Sequence, residues 1–236
     1  MKIGGFLKQS LIDFPGNIAS VIFTVGCNFR CFYCHNPELV LPEKIKLNEL
    51  INESDILSYL NSNKSLLDAV VITGGEPTIH SDLPDFIEKI KALDLLVKLD
   101  TNGTNPTLLN NLLKRRLIDY LAFDIKSSLN LIKYREVVGE QFSLFDLNNI
   151  IESIQLVKNS VIDFEFRTTL VKPFHSIQNI QDMSDYLTGN YYLQEFNPSK
   201  ILKTDIKNIS HYDHKELIEI SESITNDKIK LYLRTS

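Results

Sequence analysis

Two rhythms alternate along the chain: short, nearly continuous apolar runs, and longer stretches in which apolar residues recur every three or four positions. The short runs cover residues 19–25, 69–73, 95–99, 120–125, 164–171 and 191–196, and their length and composition predict strands. Between the first two, Leu47, Leu50, Ile51, Ile56, Leu57 and Leu60 fall at helical spacing, so a helix is expected over residues 47–60. Ser81-Asp82-Leu83-Pro84 opens a helix reaching residue 93, and Asn105-Pro106 opens another through residue 115. A longer connection follows the fourth run, and then helices are expected over residues 144–157 and 176–187. Residues 2–11 read as a short strand or lead-in, 212–224 as a last helix and 229–233 as an edge strand. Asp13-Phe14-Pro15-Gly16 reads as a turn, with Asp13 as its side-chain acceptor.

Strand and helix alternate six times, which implies βαβ units, a parallel sheet and right-handed crossovers. Six units fall short of the eight that close a barrel. The expected fold class is therefore α/β, a partial (β/α)6 TIM-like barrel with an open side. At 236 residues the chain fits one domain over residues 1–236, because single barrels reach about 200–250 residues. Chemistry in such folds gathers at the C-terminal ends of the strands. The unusual residues fall there repeatedly: the cysteines after the first strand, Gly74-Gly75-Glu76-Pro77 after the second and Thr101-Asn102-Gly103 after the third. Asp124 and Lys126 follow at the fourth strand, with Arg167 on the fifth.

All three cysteines, Cys27, Cys31 and Cys34, stand in a C-x3-C-x2-C pattern. Thiolates this close suit a metal centre that keeps one position open. Iron–sulfur clusters are usually held by four cysteines. With three, a cubane has one iron left for a substrate or cofactor. Zinc is the competing occupant, but structural zinc wants a closed Cys/His set. His35 is adjacent to Cys34 and poorly placed to close one, and no second C-x2-C or H-x3-H pair exists. A disulfide leaves an odd cysteine over.

These residues carry a resemblance. The cysteine spacing, with aromatic Tyr33 before the last cysteine, resembles the motif of the radical S-adenosylmethionine superfamily. Gly5-Phe6, Ser10-Leu11-Ile12-Asp13-Phe14-Pro15-Gly16, Gly26-Cys27-Asn28-Phe29-Arg30-Cys31 and Tyr33-Cys34-His35-Asn36-Pro37-Glu38-Leu39 look like the activating proteins of anaerobic ribonucleoside-triphosphate reductase, which are glycyl-radical enzyme activases. Weaker matches run to about Pro198. The resemblance implies the partial-barrel fold and a 4Fe-4S cluster on Cys27, Cys31 and Cys34, which are then both metal ligands and catalytic. It implies S-adenosylmethionine on the open iron, its reductive cleavage, and removal of a glycine Cα hydrogen in the partner reductase. It also implies that Gly74 and Gly75 meet the methionine amino group through backbone carbonyls, that Glu76 orients them, and that Asp124 and Lys126 contact the cofactor.

Side-chain chemistry adds detail. Asp124 and Lys126 lie two apart on a strand and share a face; a structural ion pair is the competing reading. Asn102 has the donor and acceptor capacity for a ribose. Tyr33 can stack or hydrogen-bond at an adenine, and Arg167 can meet a carboxylate bidentately. Val171 reads equally as an adenine contact or a core residue. His80 and His175 fall near the barrel mouth without an assigned role, as do Gln194, Asn197 and Pro198 beyond the sixth strand, whereas His211 and His214 read as a polar helix face.

Net charge is −5 and the pI about 5.6, which argues against a general nucleic-acid binder. Lys114-Arg115-Arg116 reads as the solvated end of a helix. No secretory signal and no apolar stretch approaching the roughly 20 residues of a membrane helix is visible. A cytoplasmic location is expected, where thiols stay reduced. Without an added cysteine-rich segment, electrons must come from outside, from flavodoxin or ferredoxin. The open barrel fits a macromolecular partner that inserts a loop. Two alternatives remain: a radical enzyme acting on another peptide or a small molecule, and a non-catalytic electron-transfer or zinc-binding module. The latter leaves Gly74-Gly75-Glu76-Pro77 and the Asp124/Lys126 pair unexplained.

Overall fold

A computed structural model describes residues 1–46, 49–198, 202 and 209–235. Its strands are β1 (Ile3–Ser10), β2 (Ala19–Thr24), β3 (Ala69–Gly74), β4 (Leu96–Thr101), β5 (Tyr120–Asp124), β6 (Asp163–Leu170), β7 (Gly189–Glu195) and β8 (Ile229–Arg234). They form one sheet in chain order. β1 pairs antiparallel with β2, and every later pair is parallel. Each strand neighbours its successor, so the sheet curls in one direction. β1 and β8 do not pair, and the barrel stays partial. The six expected barrel strands are β2 to β7. The lead-in adds an antiparallel strand at one edge, and the expected edge strand closes the other as β8.

The helices are α1 (Pro37–Val40), α2 (Glu53–Asn63), α3 (Leu83–Lys91), α4 (Pro106–Lys114), α5 (Leu131–Val138), α6 (Leu144–Lys158), α7 (Ile177–Ser184) and α8 (His214–Ser223). Five of them, α4 to α8, start at a side-chain cap, whereas α1, α2 and α3 have none. Asn105 accepts from Leu108 N, and Ser143 and Asp146 form a reciprocal box. Two expectations shift. The helix expected from Leu47 begins at Glu53, and Leu47 lies outside the described residues. Ile51 instead donates its N–H to Ile3 O at 2.9 Å, an extra bridge along β1. The connection after β5 contains α5, whose start is capped by Asn130 accepting from Ile132 N and Lys133 N.

Strand alternation sorts the side chains into two environments. One face, including Ile22, Ile72, Leu99, Phe123, Phe166 and Leu193, packs in the large core shared with the helices. The other face is polar through the barrel's middle. Lys98, 3% exposed, pairs with Asp100 at 3.2 Å, and buried Glu165 accepts from Tyr120 Oη at 3.0 Å. Buried charges persist only when paired, and this inner face is paired throughout. Below it, Phe14, Ala19, Val21, Ala69 and Val71 plug the N-terminal end of the barrel. The loop holding Phe14 is fixed as the turn reading requires: Ser10 Oγ donates to Asp13, and Lys98 Nζ donates to Asp13 O at 2.6 Å.

Candidate active site

The cysteine loop leaves the C-terminal end of β2 and is held on three sides. Arg30 N donates to Val138 O at 2.8 Å and Phe32 N to Val137 O at 3.3 Å, so α5's terminal carbonyls receive the loop's amides. Arg30 Nη1 braces the loop from within, donating to Cys27 O at 2.6 Å and Phe29 O at 2.7 Å. His35 Nε2 donates to Asn197 O at 2.8 Å, and its ring stacks on Phe196 at 5.8 Å. Cys27, Cys31 and Cys34 are free thiols lining one cavity of about 180 Å3. Burial pushes all three thiols up, Cys31 to about 12. The protein alone therefore keeps them protonated, and a bound metal must supply the charge that makes thiolates.

The opposite wall is the Gly74-Gly75 segment after β3. A Cβ on Gly75 would fall 1.9 Å from Gly26 O, and one on Gly74 would fall 2.3 Å from Thr24 N. Gly74 also has φ +114. Both positions require glycine because two backbones meet there, before any ligand is considered. Glu76 organises this wall from beneath. It is 1% exposed and accepts from Thr78 N at 3.0 Å, Thr78 Oγ1 at 2.6 Å, Thr101 Oγ1 at 2.7 Å and Asn102 N at 2.7 Å. Burial raises its pKa even against these donors. Glu76 thus ties β3's exit to β4's exit.

Asn102 lines the cavity, with its side chain already engaged. Its Nδ2 donates to Asn28 Oδ1 at 2.9 Å and its Oδ1 accepts from Thr104 Oγ1 at 2.7 Å; Asn28 Nδ2 donates to the same Thr104 hydroxyl at 2.8 Å. Tyr33 also lines the cavity, and its buried hydroxyl has no hydrogen-bond partner among the described residues. An orphaned buried hydroxyl on a cavity wall points to a ligand.

Lys126 closes the floor. Its Nζ donates to Asp124 Oδ2 at 3.0 Å, and Arg167 Nε donates to Asp124 Oδ1 at 2.8 Å. Arg167 also donates to Asp100 Oδ2 at 3.2 Å, so its guanidinium is shared between two protein carboxylates. Burial would raise the Asp124 pKa, but Arg167 and Lys126 outweigh it and hold the carboxyl down to about 2, against 3.8 ordinarily. A depressed carboxyl contributes stability that is fully present above pH 3.8 and lost as pH falls toward 2. In cluster-free protein, the stability advantage of wild type over Asp124→Asn should shrink by about 2 kcal/mol across that window. Urea midpoints at successive pH values measure this, and a pH-independent difference would remove the ion-pair account.

Below this ion-pair layer a second cavity of about 520 Å3 opens into the barrel, lined by Ile12, Asp13, Lys98, Arg167, Gln194 and Arg234 among others. Gln194 therefore belongs to the lower cavity. Val171 is fully buried within the large core. His80 Nε2 donates to Val25 O at 3.0 Å and latches β3's exit loop to β2. His211 and His214 are exposed. Sequence reasoning missed Asn28 and Thr104, which meet across 76 residues, and Tyr134, which turns back from α5 to Lys126. The only signal for the α5 contact was Leu131, Tyr134, Val137 and Val138 at helical spacing.

Among the described residues no three His, Cys, Asp or Glu side chains converge closely enough to hold one metal ion. The three thiols instead ring a cavity, which suits a polynuclear cluster in which each of three irons takes one sulfur. That donor set, the glycine-only wall and the orphaned Tyr33 hydroxyl fit a 4Fe-4S cluster and a bound polar cofactor. No helix among the described residues is long and apolar enough to cross a membrane.

Comparison with known proteins agrees with the fold. A protein of Methanocaldococcus jannaschii, provisionally named a glycyl-radical enzyme activating enzyme, is 33% identical over 93% of this chain and 90% of its own length. A Pyrococcus abyssi protein provisionally named GTP 3',8-cyclase is 32% identical over 57% of this chain and 41% of its own length. The crystal structure of a radical SAM methyltransferase from Sphaerobacter thermophilus shares the fold, with TM-score 0.70 and 15% identity over 94% of this chain and 67% of that one. The family model of the radical SAM superfamily matches residues 21–187, and the chain belongs to that superfamily of S-adenosylmethionine and iron–sulfur enzymes.

Proposed function

We propose that this chain is a glycyl-radical enzyme activating enzyme whose partner is anaerobic ribonucleoside-triphosphate reductase. The observation that carries the reading is the single cavity ringed by three thiols, the Gly74-Gly75 backbone and the Lys126 ammonium, above a barrel open at one side. When bound, the cluster and S-adenosylmethionine supply one-electron cleavage of a sulfonium bond and removal of a hydrogen atom from the substrate. The chain's own residues hold and orient. Cys27, Cys31 and Cys34 take the cluster, and the Gly74-Gly75 backbone takes the amino group of the methionine moiety. Lys126 takes its carboxylate, with Asp124 directing the ammonium. Tyr33 meets the adenine and offers its free hydroxyl there; Asn102 faces the ribose. Arg167 acts through Asp124, since its guanidinium already serves Asp124 and Asp100.

The named relative from Methanocaldococcus jannaschii supports an activating enzyme over other radical chemistry. The unpaired edges β1 and β8 leave a side of the barrel from which a partner's loop could approach. Flavodoxin or ferredoxin is the proposed electron donor. The test is anaerobic mixing of cluster-loaded protein, S-adenosylmethionine and dithionite with purified anaerobic reductases, read by electron paramagnetic resonance. A glycyl doublet is expected. If no reductase gives a doublet while GTP alone drives 5′-deoxyadenosine formation, the small-molecule reading of the cyclase-like relative replaces this one.

A further inference from the structure

Lys126 stands two residues beyond the end of β5, where the ladder to β6 has run out. Ile125 N still donates to Arg167 O at 2.9 Å. Lys126 makes no such bond, yet both of its backbone polar groups are held by side chains. Its N–H donates to the Tyr134 hydroxyl at 3.1 Å, and its carbonyl lies 2.9 Å from His175 Nε2.

The histidine's protonation follows from its partners. A carbonyl only accepts, so Nε2 carries a proton. Burial lowers the His175 pKa and keeps the ring neutral, which leaves Nδ1 as an acceptor. Val171 N–H donates to that nitrogen at 3.0 Å, and Val171 O lies 3.2 Å from it. Both ring nitrogens thus face backbone groups. His175 and Tyr134 are each fully buried. Neither lines the cofactor cavity, whereas the Lys126 side chain does.

Each partner is itself locked. Tyr134 stacks on Phe142 at 4.6 Å, and Tyr212 Oη donates to His175 O at 2.6 Å. Two segments far apart in sequence, α5 and the loop between β6 and α7, therefore meet at one residue, on the two peptide groups that flank the Lys126 Cα. A lysine side chain is long and rotamer-rich, so its ammonium is placed only as well as its backbone is placed.

We propose that Tyr134 and His175 are positioning residues which clamp the Lys126 backbone and so fix the ammonium at the cavity wall for an anionic group of the cofactor. The inference rests on the reading of Lys126 as a cofactor ligand. It assigns His175 a geometric role and no acid–base role.

The test is S-adenosylmethionine affinity of the cluster-loaded protein, measured by equilibrium dialysis beside iron content and thermal melting. Tyr134→Phe and His175→Leu should each weaken binding about five- to tenfold with iron content unchanged. His175→Gln, whose amide can donate near the Nε2 position, should bind within about twofold of wild type. Lys126→Met should lose more than about tenfold. A purely structural role would lower the melting temperature of the first two variants and leave affinity alone. That outcome, with Lys126→Met still weak, overturns the clamp while the ligand reading stands. Wild-type affinity in Lys126→Met overturns both. Should His175→Leu fail to fold, Tyr134→Phe, which keeps the ring stack on Phe142, carries the test.

Discussion

Cys31→Ala is expected to lose the cluster and with it all cofactor cleavage. The chain has three cysteines and no spare. The nearest substitute, His35, already uses Nε2 on Asn197 O. A cluster left with two thiolates has no third cysteine to recruit, because the rest of the wall, including Gly74, Gly75, an engaged Asn102, Tyr33, Asn36, Lys126 and Thr169, offers no thiol. The thiol itself contributes little to the fold, since the loop is fixed by backbone bonds from Arg30 and Phe32 to α5. Circular dichroism should therefore match wild type, while iron content and the visible absorption of anaerobically reconstituted protein fall to background. Full iron content in the alanine variant would sink the ligand assignment.

Gly75→Ala is expected to damage the site by geometry alone. The added methyl would sit 1.9 Å from Gly26 O and 2.7 Å from Gly26 C, both backbone atoms with no flexible tip to move aside. Relief requires β2's exit and β3's exit to separate. That strains two bonds joining them, Gly75 N to Thr24 O at 2.9 Å and Glu76 N to Gly26 O at 2.8 Å. Overpacking of this kind costs about 1–3 kcal/mol. The displaced Gly26 directly precedes Cys27, so cluster loading should fall together with the unfolding midpoint. An alanine variant with wild-type midpoint and iron content would show that the two loops are not held this closely.

Much of this was legible in the chain because it is local. A strand's last residue and the loop after it are read from one stretch of sequence, so the cysteines, Gly74-Gly75-Glu76-Pro77 and the Asp124/Lys126 pair fall at strand ends as expected. Strand periodicity put Asp124 and Lys126 on one face, but β5 ends at Asp124, and it is the ion pair at 3.0 Å that joins the two beyond the strand. What the chain concealed depends on tertiary approach. Arg167 looked available for a ligand carboxylate, but Asp100 and Asp124 reach it across neighbouring strands. Gly74 and Gly75 looked like room for a ligand, and they are first of all room for Thr24 and Gly26. Tyr134 could not be singled out, because the amide it serves lies eight residues upstream, in the connection after β5, which has no periodic signature.

The most direct measurement is anaerobic reconstitution of the wild-type protein with iron and sulfide, followed by metal counting and by reduction with dithionite in the presence of S-adenosylmethionine. The account predicts a brown protein with about four irons per chain and release of 5′-deoxyadenosine and methionine. A colourless protein that holds one zinc on Cys27, Cys31 and Cys34 and yields neither product would contradict it.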